Sequence, residues 1–517
     1  MVMEKMRSRP WRWPRACSKG RGRCLSDKNQ PGRLQMQPNL RLLDAELLER
    51  ILAEAFALIF QRGVTVQGPE ASDLLAAAGA RVENGVAHIP ESLARRTIES
   101  VPREFHLHNR AGEPVVNYGG DNVQFDPGSS CVHILDPETL EHRLTQSADL
   151  VRLVQVAEML PQYAAQSTAV VCNDAAKEIG DLYRLFLVLW YSDKPIVTGA
   201  FSPHTAPAMI DLLVADSGGP AALRQKPRAI FDVCPSPPLH MSEFAAQNLM
   251  DLARAWVPAE IVAMPLSGAA APATLAGTVV QHAAECISGI TIHQLAQPGA
   301  PVVWGGAPAI FDMRSGITPM GAVETAMLNI ASAQVAKSFG LPTHGYLIGS
   351  DAKWMDAQAG QESGIAAILG ALGGINMISG AGMLDSLACH SAEKLVLDAE
   401  SIAMAQRLLQ AVQPRTESLA LEMFARAGTQ GDFLKIPETR KYFRMEQHLP
   451  SRVIDRGSLH SWEQSGKRDA FARARDRVKE LLAAYKRPAI LPQVENNLRA
   501  IVAEHAKRAG MAHLPGI

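Results

Sequence analysis

The sequence predicts an α/β protein built on a (β/α)8 TIM barrel, and three observations carry that expectation. Between residues 119 and 413, eight short apolar strands alternate with eight helix-length segments. Each pair of strands is separated by enough chain for a crossover helix, which returns the chain to the same edge and forces parallel pairing. No G-x-G-x-x-G follows any strand, so the competing open dinucleotide-binding sheet has no support.

The elements follow in chain order. Residues 1–33 hold ten Lys/Arg against two Asp/Glu. Residues 1–37 are therefore read as a basic, solvated tail, or as sequence ahead of a start at Met36, rather than as a nucleic-acid or membrane arm. Over 41–63, apolar residues recur at helical spacing and stop at Gly63. A helix at 70–79, a strand near 86–89 and a helix at 91–100 come next. FHLHNRAGEPVVNYG alternates about a turn and reads as a hairpin. Together these form an N-terminal α+β cap over 38–118.

In the barrel region, 119–413, strands are expected at 123–126, 165–172, 195–201, 228–234, 260–266, 301–305, 343–348 and 375–379. Helices are expected near 146–160, 176–192, 205–215, 241–256, 274–296, 320–339, 357–373 and 390–412. Residues 414–517, with amphipathic runs such as RDAFARARDRVKELLAAYKRP, read as a C-terminal helical extension packed on the barrel.

Composition narrows the function classes. The chain has 517 residues, 47% hydrophobic and 20% charged, enough to bury a core without disulfide or metal staples. A formal charge of −1 argues against general nucleic-acid binding, which needs a broad basic surface. Seven cysteines without a CxxC suit a reducing cytoplasm, and the N-terminus lacks the apolar stretch of a secretory signal. Residues 267–292 contain Gln281, His282 and Glu285. The uncharged run 363–384 is broken by Gly370, Gly373, Gly374, Gly380 and Gly382. Neither reads as a membrane span.

Function in such a barrel gathers at the C-terminal ends of the strands. Phe201 and His204 follow the third strand, Asp232 and His240 lie near the fourth, and Trp304 and Arg314 near the sixth. The seventh strand and its loop, HGYLIGSDAKWMDAQAGQE, hold the greatest density of polar chemistry: His344, Tyr346, Ser350, Asp351, Lys353, Asp356 and Glu362. Asp356 suits a helix cap as well as a functional role. No HExxH, Cys/His cluster or D-x-D-x-D loop is present, so no bound metal is expected. On residues alone the reading stops at a barrel enzyme with a polar mouth and no evident metal; a Schiff-base lyase or hydrolase of a small carboxylated or phosphorylated molecule, using His344 and Lys353, and a non-catalytic amine-binding barrel are the competing readings.

The runs GAPAIFDMRSGITPMGAVETAMLNIASAQVAKSFGLPTHG, SDAKWMDAQAGQESGIAAILGALGGINMISGAGMLDSL and SAEKLVLDAESIAMAQRLL resemble the trimethylamine methyltransferase family, as do MPLSGAAAPATLAGTVVQ and FLKIPETRKYFRMEQHLPSRVIDRGSLHSWEQSG. The likeness covers about residues 38–490. It implies a (β/α)8 barrel that moves a methyl group from a methylated amine to the cobalt of a corrinoid (cobalamin) carried by a partner protein. Archaeal trimethylamine enzymes of the family carry pyrrolysine after the seventh strand. This chain has none, and the corresponding place falls in or next to SDAK, at or near Lys353. A quaternary ammonium leaves as a neutral amine, so the expected donor is quaternary (glycine betaine-like) or tertiary (trimethylamine). From strand position, Asp351, Lys353 and His344 are the catalytic candidates. Phe201, Trp304, Tyr346 and Trp354 are candidate aromatic faces for the cation, with Arg314 and Glu362 as further substrate contacts. The expected partners are a corrinoid-binding protein and a small methylated amine, with a homo-oligomer as a further option.

Overall fold

The computed structural model describes residues 38–202 and 205–515; the segment 1–37 and His204 lie outside the described residues. Eight strands run in parallel: β1 (Gln124–Pro127), β2 (Gln166–Ser167), β3 (Ile196–Gly199), β4 (Ala229–Val233), β5 (Ala259–Ala263), β6 (Val302–Gly306), β7 (His344–Tyr346) and β8 (Met377–Ala381). They form two α/β sheets, ordered β2–β3–β4–β5–β6 and β7–β8–β1. Backbone contacts also cross the two seams between them. Trp304 bridges Thr343 in parallel, and its N–H donates to Pro342 O at 3.0 Å. Ala164 N–H donates to Phe125 O at 2.9 Å. Each strand falls within or beside its predicted range, and five of the eight are shorter; beyond Ser167, for example, the one residue still bridged is Val170, with Cys131.

The intervening helices are α1 (Ser147–Glu158), α2 (Gly180–Tyr191), α3 (Thr205–Ser217), α4 (Glu243–Ala255), α5 (Leu275–Ala296), α6 (Val323–Ser338), α7 (Ala357–Leu372) and α8 (Ala392–Leu409). Asp356 caps α7, accepting Ala359 N–H at 3.1 Å, which is the structural role its position allows.

The strands are buried on both faces, which is why they read as nearly continuous apolar runs. Phe125, Ile196, Phe231, Ile261, Trp304 and Ile378 belong to the main core shared with the helices. The alternate residues Val197, Ile230, Val303 and Met377 form a separate cluster with Phe105, Leu107, Val116 and Tyr118. Those four come from the antiparallel hairpin Glu104–His108/Pro114–Gly119. The N-terminal segment thus packs on the inner face near the strands' N-terminal ends, and the opposite end is left for chemistry.

In the C-terminal extension, Ala470–Ala484 packs on α8 and Pro492–Arg508 on α3. Two shorter helices, Leu421–Ala427 and Pro437–Glu446, bury no side chain. Among the described residues, no helix is long and apolar enough to cross a membrane.

The hairpin's grip on the inner face is testable. Leu107 is fully buried whereas Val115 is 42% exposed. Leu107→Ala is expected to cost about 2–5 kcal/mol in urea unfolding, and Val115→Ala no more than about 0.5 kcal/mol.

Candidate functional site

Moving along the inner face toward the C-terminal ends, the lining changes from apolar to acidic. Asp232 lies two residues beyond Ile230, and Ser379 two beyond Met377, so both share the inner face. Glu260 pairs in register with Asp232 and with Val303. Asp126 on β1 and His344 on β7 complete the layer, and all five side chains are buried. Ser379 Oγ donates to Asp126 Oδ2 at 2.6 Å, while His344 Nε2 lies 3.0 Å from Ser379 Oγ. With the serine proton given to Asp126, the serine oxygen accepts from His344 Nε2–H. His344 Nδ1 then faces Glu260 Oε1 in close contact.

That contact spans β6, and β6 offers a glycine there. A Cβ on Gly305 would lie 2.6 Å from Glu260 Oε1 and 2.8 Å from His344 Cβ. Any side chain would push the pair apart.

Burial dominates the electrostatics. It pushes the carboxyls of Asp126 and Asp232 well above the usual range and Glu260 up to about 8, and it pulls His344 down. The Glu260–His344 approach lacks hydrogen-bond alignment, and the buried Glu260 and Asp232 carboxyls hydrogen-bond to each other, with no other donor on Glu260 Oε2 or Asp232 Oδ1. Buried carboxyls that meet no donor but each other are costly to keep. Among the described residues, no group of three or more His, Cys, Asp or Glu is arranged to hold a metal ion.

Besides Asp232, the structure brings three of the sequence-derived catalytic and substrate-binding candidates to this layer. His344 is part of it. The half-buried Tyr346 ring stands edge-on to His344, centroids 5.7 Å apart, and its hydroxyl accepts Ser129 N–H at 2.6 Å. Phe201 is held through its backbone N–H to Asp181 Oδ2 at 2.7 Å. Its ring folds over Gly199, where a Cβ would come within 2.5 Å of Phe201 Cζ. Gly199 pairs with Asp232, so the ring stands beside the acids.

The other six lie elsewhere. Trp304 is one position out of phase with Gly305 and packs on the helix side, 6.2 Å from Phe339. Asp351 accepts from Met320 N–H at 2.8 Å, Gly321 N–H at 3.0 Å and Ser386 Oγ at 2.9 Å. Glu362 Oε2 accepts from Ser350 Oγ at 2.5 Å and Asp351 N–H at 2.8 Å. Both acids thus tie loops together. The Lys353 side chain is 59% exposed and pairs with Asp385 at 3.4 Å. Arg314 is 92% exposed and paired with Asp312. Trp354 borders a cavity of about 500 Å³ lined by Met355, Lys394, Asp398 and Phe471, which contains none of the unpaired carboxylates.

Asp126, Glu260 and Ser379 were missed as site residues. Their signal is an isolated polar side chain on alternate positions of apolar strands, as in VQFD, AEIVA and MISG. Inside EKLVLDAE, Lys394 Nζ donates to Asp398 Oδ2 at 2.6 Å, Ser363 Oγ at 2.9 Å and Ile348 O at 3.1 Å. Asp398 Oδ2 also accepts Gly382 N–H at 2.7 Å, so this buried pair joins the segments that follow β7 and β8.

A family model described as "Trimethylamine methyltransferase (MTTB)" matches residues 15–510. The chain belongs to the trimethylamine methyltransferase family. It is 29% identical to a trimethylamine methyltransferase of Desulfitobacterium hafniense, over 90% of this chain and 94% of that protein. It is 31% identical to a trimethylamine methyltransferase of Methanosarcina mazei, over 91% and 96%. A glycine betaine methyltransferase of Desulfitobacterium hafniense is 28% identical, over 92% and 99%. Among solved structures, the monomethylamine methyltransferase of Methanosarcina barkeri aligns with a TM-score of 0.47 at 12% identity, over 86% of this chain and 95% of that one.

Two tests follow from the buried charges of this family member. Lys394→Met strands the Asp398 carboxylate and is expected to cost about 3–5 kcal/mol in urea unfolding, while Lys353→Met stays within about 0.5 kcal/mol. Glu260 is held up at about 8 in the fold, against 4.5 ordinarily. Its native form therefore binds more protons than the unfolded chain, and its stabilising contribution, full below the ordinary value, is lost as pH rises toward the native one. Unfolding midpoints measured at about pH 6 and about pH 8.5 are expected to fall less in Glu260→Gln than in the parent; equal falls would show that Glu260 is not held protonated.

Proposed function

We propose that the eight strands close into one (β/α)8 barrel and that this chain is a cytoplasmic, corrinoid-dependent methyltransferase. Its donor is a quaternary or tertiary methylamine, and its acceptor is the cobalt of a corrinoid held by a separate protein. Within this reading, residues 38–118 cap the lower end, 119–413 form the barrel and 414–517 the extension. The observation that carries it is the buried acidic layer of Asp126, Asp232 and Glu260, the last two meeting no donor but each other, beside the aromatic rings of Tyr346 and Phe201. Carboxylates and ring faces are what an alkylated, positively charged nitrogen binds. Relatives named trimethylamine methyltransferase and glycine betaine methyltransferase support the same reaction class.

The chain's own work is binding, orientation and exclusion of water. The acids draw the ammonium to the inner face, and the hairpin beneath prevents it from passing through. Phe201 covers the layer from the C-terminal side, leaving a methyl group to face outward. When docked, the partner's reduced corrinoid supplies the nucleophile. Around the strand ends, Met264, Met313 and Ile317 are exposed, an apolar rim suited to a macrocycle. A quaternary nitrogen departs as a neutral amine, so alignment does most of what is required. The Schiff-base reading is not favoured, since Lys353 stands exposed and paired with Asp385.

The test mixes the chain with reduced corrinoid protein and a panel of methylated amines. A shift from the reduced to the methylated corrinoid spectrum, with one equivalent of demethylated amine, is expected; no shift with any amine would sink the reading. Asp232→Asn is expected to lower kcat/KM about 10–100-fold. Lys353→Ala should leave it within about twofold.

A further inference from the structure

The charge arrangement on the inner face narrows the donor further. The eight strands carry three acids on that face, Asp126, Asp232 and Glu260, and not one of their residues is Lys or Arg. The basic group in the layer, His344, has Nε2 on Ser379, and its Nδ1 faces Glu260 without a hydrogen bond. Arg184, the guanidinium whose field reaches Asp232, donates to Asp181 Oδ1 at 2.6 Å and to Ser130 Oγ at 2.9 Å. Its charge is therefore neutralised within the protein.

A donor that carries its own carboxylate, such as a betaine, would bring a fourth acid toward this layer, where the described residues of the eight strands offer no Lys or Arg to receive it. Protonated acids on the protein could donate to that carboxylate, but the ammonium end needs the same groups ionised. Three side chains cannot serve both ends of a short zwitterion. A donor with one positive charge and no anionic group meets no such conflict, because each acid that ionises improves its binding.

We propose, resting on the methyltransferase reading, that the site is built for a net-cationic quaternary ammonium without a carboxylate, of the tetramethylammonium or choline type, in preference to a betaine. Asp232 and Glu260 are the specificity-determining residues, since their buried carboxyls meet no donor but each other. Phe201 and Tyr346 supply ring faces that read alkyl groups without regard to a carboxylate.

The experiment is titration calorimetry of the full chain with choline, tetramethylammonium and glycine betaine, followed by turnover of the same three donors with reduced corrinoid protein. At least one of the two cations is expected to bind and turn over at least about 10-fold better than glycine betaine. Asp232→Asn should remove most of that preference while changing glycine betaine binding much less. Where Asp232→Asn does not fold, Asp126→Asn takes its place. Glycine betaine binding as tightly as both cations, or turning over faster, overturns the proposal and leaves methyl transfer standing. Preferential cation binding with no corrinoid methylation by any donor upholds the proposed recognition and overturns the methyltransferase reading. Loss of binding to all three ligands overturns the proposal.

Discussion

The period-two alternation of eight parallel strands is the constraint on which the rest depends. Each strand must satisfy helices on one face and the inner surface on the other, and successive residues cannot exchange faces without breaking the ladder. The same alternation puts Val303 and Gly305 inside while sending Trp304 out to Phe339. Along the inner face it produces two zones, an apolar one filled by the hairpin bearing Leu107 and Tyr118, and an acidic one at the opposite end. The site exists because the hairpin occupies one zone and leaves the other.

Burying three carboxylates near one another is unfavourable for an empty protein. The fold tolerates it by keeping them toward their neutral forms and by one continuous line of contacts, Glu260–His344–Ser379–Asp126, that crosses from β5 to β1. Gly305 is what lets the first link form. A permanent cation reverses the balance, since ionised acids are then favoured.

A different class of buried charge supports the frame. Lys394 and Asp398 satisfy one another and reach Ile348, Ser363 and Gly382, so the segments after β7 and β8 are tied together. Asp351 and Glu362 extend that bracing to the loop ahead of α6. The loop richest in polar residues is thus largely devoted to its own architecture. Density of polar side chains in a sequence does not distinguish a brace from a ligand-binding group, because both need the same chemistry.

Much of the fold was legible from the sequence: the eight strands, the eight helices and the hairpin each have a periodicity that local chemistry enforces. His344, Tyr346 and Phe201 were legible as site candidates because they stand at strand ends. Trp304, Trp354, Arg314 and Lys353 were chosen on the same rule but do not join the acidic layer, since proximity to a strand end leaves open which way a side chain points. Asp126, Glu260 and Ser379 escaped notice because each lies alone in its own strand. The sequence by itself determined the elements, their order and the family, which depend on neighbours a few residues apart or on long runs of shared residues. Only the tertiary structure decided the acidic layer, because its members lie up to 253 positions apart and meet through the stagger of neighbouring strands, which no local pattern records.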